Sequence, residues 1–173
     1  MSGEAMVPSS RAGRAVTFMI LGRKFMTWLG FGLEQHLWVA TFTLGSLLAW
    51  VAIRTVSMKQ LGRFLGEHVP TTSLSVLATE TQVAKAWQIG QVMAAVGRNV
   101  PWECKCLAEA LCVKWMLDHY RIPSVTFLGA YLAPEDAKGM KAHAWLAVGP
   151  KIVIGGRLSP LYQVTAVFAQ MKF

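Results

Sequence analysis

A thiol at the start of a helix and an imidazole on a strand can form a nucleophile and its base, and residues 101–156 of this 173-residue chain carry one of each. Cys106 follows Pro101-Trp102-Glu103-Cys104-Lys105 and opens an apolar stretch that reads as a helix over residues 107–120, stopped by Arg121-Ile122-Pro123. Cysteine attacks as the thiolate, which a helix N-terminus and a neighbouring imidazole both favour. Cys106, Ala110, Val113 and Leu117 are spaced 4, 3 and 4, the face that a helix turns towards a sheet. His143 stands between two alanines in a strand-like segment. Alternation puts His143, Trp145 and Ala147 on one side of that segment and Ala144, Leu146 and Val148 on the other. Small neighbours leave the imidazole room to reach a thiol on a facing helix. The plainer readings are that the cysteine is a packing residue and the histidine a structural one.

The remaining thiols fit other roles. Cys112 is six positions beyond Cys106, roughly 240° around a helix, so it faces elsewhere and reads as a small core residue. Cys104 precedes the helix as a spacer. A metal site made of Cys104, Cys106, Cys112 and His119 would need the spacing C-x-C-x5-C-x6-H, which is not a zinc pattern and scatters its ligands around the helix. No metal is expected.

These residues must be positioned by the elements around them. Residues 1–15 are small, polar and broken by Pro8, a disordered start, and residues 16–69 form a helical region. Within it, residues 35–53 contain no Asp, Glu, Lys or Arg, a run of 19 that approaches the length of a bilayer span. Gln35, His36, Thr41, Thr43, Gly45 and Ser46 interrupt that run, so a buried or partner-covered helix with a thin polar edge is the competing reading. Pro70-Thr71-Thr72-Ser73 is the linker candidate, and a domain follows over residues 74–173. Its first helix begins at a capping box, Thr79 with Gln82, and stops at Gly97. After the cysteine helix the period changes to that of strands over residues 125–132, 142–148 and 151–154. A Gly149-Pro150 turn joins the last two as an antiparallel hairpin, and a final strand is expected at 163–168. The fold class is α+β: helices first, then one helix packed on a small antiparallel sheet.

Composition narrows the partners. The chain is 54% apolar and 15% charged, which predicts a large interface with a partner or a membrane. Its net charge of +8 comes from scattered basic residues rather than a run, so nucleic acid is not expected. Three clustered cysteines are no disulfide framework and indicate a reducing, cytoplasmic compartment.

The words PWECKCLAEA, then Gly129, AHAWL and Ile154-Gly155-Gly156, taken in this order, resemble the lasso peptide biosynthesis B2 proteins, most strongly over residues 100–156. The resemblance implies a transglutaminase-like, papain-type fold and a leader peptidase with Cys106 as nucleophile and His143 as general base. It also implies an aspartate on the strand after the histidine, around residues 154–156. This sequence departs there, since no Asp or Glu occurs from His143 to the end. A backbone carbonyl, Gln163 or Glu103 must then orient the imidazole. An amide can fill that role, as Cys-His-Asn sites show.

By the same resemblance the chain has the split form, without a leader-recognition domain of its own. The expected partners are the precursor's leader peptide, a small leader-recognition protein and an asparagine-synthetase-like cyclase, with membrane association open through the apolar N-terminal half. No cofactor is expected in this chain; any ATP would be used by the cyclase. Two alternatives use the same residues: an inert transglutaminase-like scaffold or membrane-associated binding protein, and acyl transfer to an amine in place of water.

Overall fold

The structure, a computed structural model, describes residues 32–71, 73–132 and 139–170. The chain divides into two units, Met1–Leu37 and Trp38–Phe173. Of the first, the described part is Gly32 and the first turn of helix α1 (Leu33–Thr55), where the Gln35 and His36 side chains hydrogen-bond the Gly32 backbone. Residues 16–31 of the expected helical region lie outside the described residues.

The second unit holds the rest of α1, α2 (Met58–Leu65), β1 (Glu67–Val69), α3 (Glu80–Gly97), α4 (Cys106–His119), β2 (Val125–Leu132), β3 (Met140–Val148), β4 (Lys151–Ile154), a 3-10 turn (Ser159–Leu161) and β5 (Gln163–Ala169). The five strands form one antiparallel sheet in the order β1-β5-β2-β3-β4. The α+β expectation therefore holds, with β1 added to the edge as a strand that the sequence reading had folded into a helix. The expected capping box forms: the Thr79 hydroxyl accepts from the Gln82 N–H while the Gln82 side chain accepts from the Thr79 N–H.

The sheet separates two cores. On one side α1, α3 and α4 meet β3 and β4 through Phe42, Ile89, Met93, Val113, Leu117, Leu146, Val148 and Ile154. Gly90 lets α3 press against the backbone of Val153, where any side chain would collide with the carbonyl oxygen. On the other side Val125, Phe127, Trp145 and Val167 pack together, covered by Leu74 and Val76 of the segment before α3. With both faces of β3 covered, its residues from His143 to Leu146 are all buried.

Helix α1 differs from the strongly buried helix with a polar edge. Trp38, Phe42, Ser46 and Ala49 are buried, so the serine points inward, while Leu44, Leu47, Leu48 and Val51 are exposed.

Candidate active site

Helix α4 begins on Cys106. Lys105 precedes it in extended backbone, and no side chain caps the first turn. The leading N–H groups of the helix, with their share of positive dipole, are thus left for whatever docks at this end. The loop before it is held to α1: the Trp102 indole N–H donates to the buried Ser46 hydroxyl at 3.2 Å. Glu103 lies 3.9 Å from Arg54 and 3.3 Å from Lys105.

The three thiols have separate surroundings. Cys112 is buried with its Sγ against Gly45 of α1, and its thiol is pushed up to about 12 by burial, then by Cys104 and Glu109. The Cys104 thiol is pushed up to about 11 by burial and then by the Glu109 carboxylate. Both are therefore held as neutral thiols at ordinary pH. Glu109, in the first turn of α4, is itself raised by burial, against a smaller lowering by Arg98. Cys106 is a free, half-exposed thiol.

His143 is 6% exposed and sits directly across from Gly129 in the β2–β3 ladder. Gly129 is needed there because a Cβ would come within 2.8 Å of the Trp145 ring. The imidazole stacks on Trp145 at 5.8 Å between centroids and lies 5.0 Å from the Tyr162 ring, and Trp145 in turn stacks on Phe127 at 5.6 Å. Its Nε2 is 2.7 Å from the Gly155 carbonyl oxygen. A carbonyl only accepts, so Nε2 carries the proton, and the neutral ring presents Nδ1 as its basic atom.

Of the orienting groups considered from the sequence, the backbone carbonyl is the one in contact. Glu103 is engaged with Arg54 and Lys105. Gln163 is exposed on β5, where it lines an open groove of about 450 Å³ with Ala130, Tyr131, Met140, Leu161 and Thr165. Gly155 also explains why no acid stands at this point. Its φ is +77°, and a Cβ would lie 2.5 Å from the Ala144 carbonyl oxygen and 2.8 Å from the Trp145 Cβ. Tyr162, which had no signal in the sequence, closes the ring pocket.

Among the described residues no hydrogen bond joins Cys106 to His143, whose partners are Gly155, Trp145 and Tyr162. The imidazole shares its side of β3 with Trp145, whereas α4 packs with Leu146 and Val148. Among the described residues no three His, Cys, Asp or Glu side chains gather as a metal site.

A helix that opens on a cysteine, packed against an antiparallel sheet that carries a buried histidine, places the chain in the α+β class. The chain belongs to the transglutaminase-like superfamily, whose sequence profile matches residues 49–168. Searches among characterised proteins and among solved structures return no match.

Proposed function

We propose that this protein is a cysteine peptidase that removes the leader from a ribosomally made lasso precursor peptide, with Cys106 as nucleophile and His143 as general base. The observation that carries the reading is the bond from His143 Nε2–H to the Gly155 carbonyl. It fixes the tautomer that a base needs and supplies, from the backbone, the orienting acceptor that an aspartate would otherwise provide. The sequence words around the thiol and the imidazole give the substrate class.

The Cys106 sulfur attacks the carbonyl carbon at the leader–core junction, and its proton passes to Nδ1 of His143. The tetrahedral oxyanion is stabilised by N–H groups at the uncapped start of α4. Collapse breaks the C–N bond, the imidazolium protonates the departing core amine, and water then hydrolyses the thioester with His143 again as base. Thiol and imidazole must come within hydrogen-bond reach for this. In the free protein His143 lies on the Trp145 side of β3 and α4 on the Leu146 side, so the mechanism requires a rearrangement on substrate binding that brings thiol and imidazole together. The groove at Tyr131 lies near the imidazole, since the Tyr131 ring is 6.3 Å from that of Tyr162, which in turn is 5.0 Å from His143.

The test is cleavage of precursor peptide by the purified protein together with its leader-recognition partner, read by product mass. Cys104→Ala retains activity, while Cys106→Ala and His143→Ala lose it. Full activity in Cys106→Ala would refute the proposal. An inert scaffold is the second reading, favoured by the lack of a Cys106–His143 hydrogen bond, and it predicts no product under any of these conditions.

A further inference from the structure

Helix α1 is the one described helix long and apolar enough to cross a membrane, but its contacts commit it to a different arrangement. Phe42, Ser46 and Ala49 are packed into the domain, the Ser46 hydroxyl accepts from Trp102, and Gly45 lies against Cys112. Crossing a bilayer would pull this face off the core. At about 100° per residue, Leu44, Leu47, Leu48 and Val51 fall on the opposite side of the helix. Leu44 and Leu48 are each 61% exposed. This outer stripe is aliphatic and is bordered at its C-terminal end by Arg54, stacked on the Trp50 ring at 4.1 Å. The cations collect just beyond its C-terminal end: Lys59 and Arg63 are exposed, and Arg54 is shared with Glu103. The chain as a whole carries a net charge of +8.

We propose that α1 lies in the plane of an acidic membrane surface, its inner face fixed to the domain and its aliphatic face among the acyl chains, with Lys59 and Arg63 over anionic headgroups. With its inner face, Trp38, Phe42, Ser46 and Ala49, buried in the domain, only the outer aliphatic stripe is left to meet lipid, so the helix lies along the surface and does not span it. Transfer of cations to the headgroup layer is worth roughly 1 kcal/mol each. This inference stands apart from the peptidase reading and needs no precursor peptide for its test.

The experiment is co-sedimentation of the full chain with phosphatidylcholine vesicles, with and without phosphatidylglycerol. The wild-type protein is expected to sediment with the acidic vesicles and to be released by high salt. Leu44→Glu/Leu48→Glu should lower binding more than tenfold, and Lys59→Gln/Arg63→Gln about thirty-fold on acidic vesicles, from the value per cation above. Leu44→Ser/Leu48→Ser is the milder pair should the glutamates unfold the protein. Trp115→Ala, which removes an exposed ring from α4, should bind like wild type. Wild-type protein that stays in the supernatant of acidic vesicles overturns the proposal and gives the stripe to a protein partner. Binding that survives Leu44→Glu/Leu48→Glu, or that is equal on neutral vesicles, overturns it as well.

Discussion

Replacing Gly155 by alanine tests whether its carbonyl sets the histidine. The residue has φ +77°, where a side chain costs about 1–2 kcal/mol through its contact with the neighbouring carbonyl. The new Cβ would also meet the Ala144 oxygen at 2.5 Å and Trp145 Cβ at 2.8 Å, backbone and near-backbone atoms that have little freedom to retreat. Relief moves the β4 end away from β3 and carries the Gly155 carbonyl off Nε2. Strain and the lost hydrogen bond together amount to about 2–4 kcal/mol. For a chain of 173 residues that is a fall in melting temperature of roughly 5–15 °C. Thermal unfolding by circular dichroism gives the first number. The ¹⁵N spectrum of the imidazole gives the second readout: Nε2–H in the wild type, and a mixture of tautomers in Gly155→Ala. The neighbouring Gly156→Ala is the control, since its Cβ would meet only the Ile152 side chain at 3.0 Å and should perturb the ring little. An unchanged melting temperature with the Nε2–H tautomer retained in Gly155→Ala would refute the reasoning.

Three further outcomes follow from the same geometry. Cys104 at about 11, against an ordinary thiol at 9.0, is about a hundred-fold poorer in thiolate at neutral pH, so iodoacetamide should label it at least that much more slowly than a free cysteine, and Cys112 more slowly still. Peptide mapping reads both rates, and fast labelling of Cys104 in the folded protein would contradict the buried placement. Glu109 has its folded pKa raised above 4.5, so its contribution to stability is present below that pH and is lost as pH rises through the folded value. Glu109→Gln should therefore melt with the wild type near pH 4 and above it at pH 7; a variant that melts lower at pH 7 would show that pairing with Arg98 outweighs burial. Lys114 is 3% exposed and its Nζ bonds both Asp118 oxygens and Gln170, so Asp118→Asn leaves a buried cation poorly paired and should cost about 3 kcal/mol in denaturant unfolding, with a cost below 1 kcal/mol refuting it.

The elements that position the thiol were legible because their signals are local. The capping box at Thr79, the 4-3-4 stripe of α4 and the Gly149-Pro150 turn each depend on residues within a few positions of one another, and each forms. Ala110, Val113 and Leu117 of that stripe are fully buried. What depends on distant partners was not legible. β1 is three residues whose only reason to extend is the free edge of β5, about a hundred positions later. Alternation gave the two sides of β3 correctly, with Trp145 in one core and Leu146 and Val148 in the other. It could not say which side α4 would cover, and so placed the imidazole opposite the thiol too readily. The missing acid was visible as an absence from the sequence. Its replacement was not, because a backbone carbonyl has no residue type and the φ of Gly155 is set by the fold.

Trapping the covalent intermediate tests the central assignment most directly. Precursor peptide mixed with protein and partner, then quenched in acid within the first turnover and mapped by mass spectrometry, should show a thioester to the leader fragment on the peptide containing Cys106, released by hydroxylamine. The adduct should be absent in Cys106→Ala and present in Cys104→Ala. An adduct on Cys104, or complete cleavage by Cys106→Ala protein, would contradict the account.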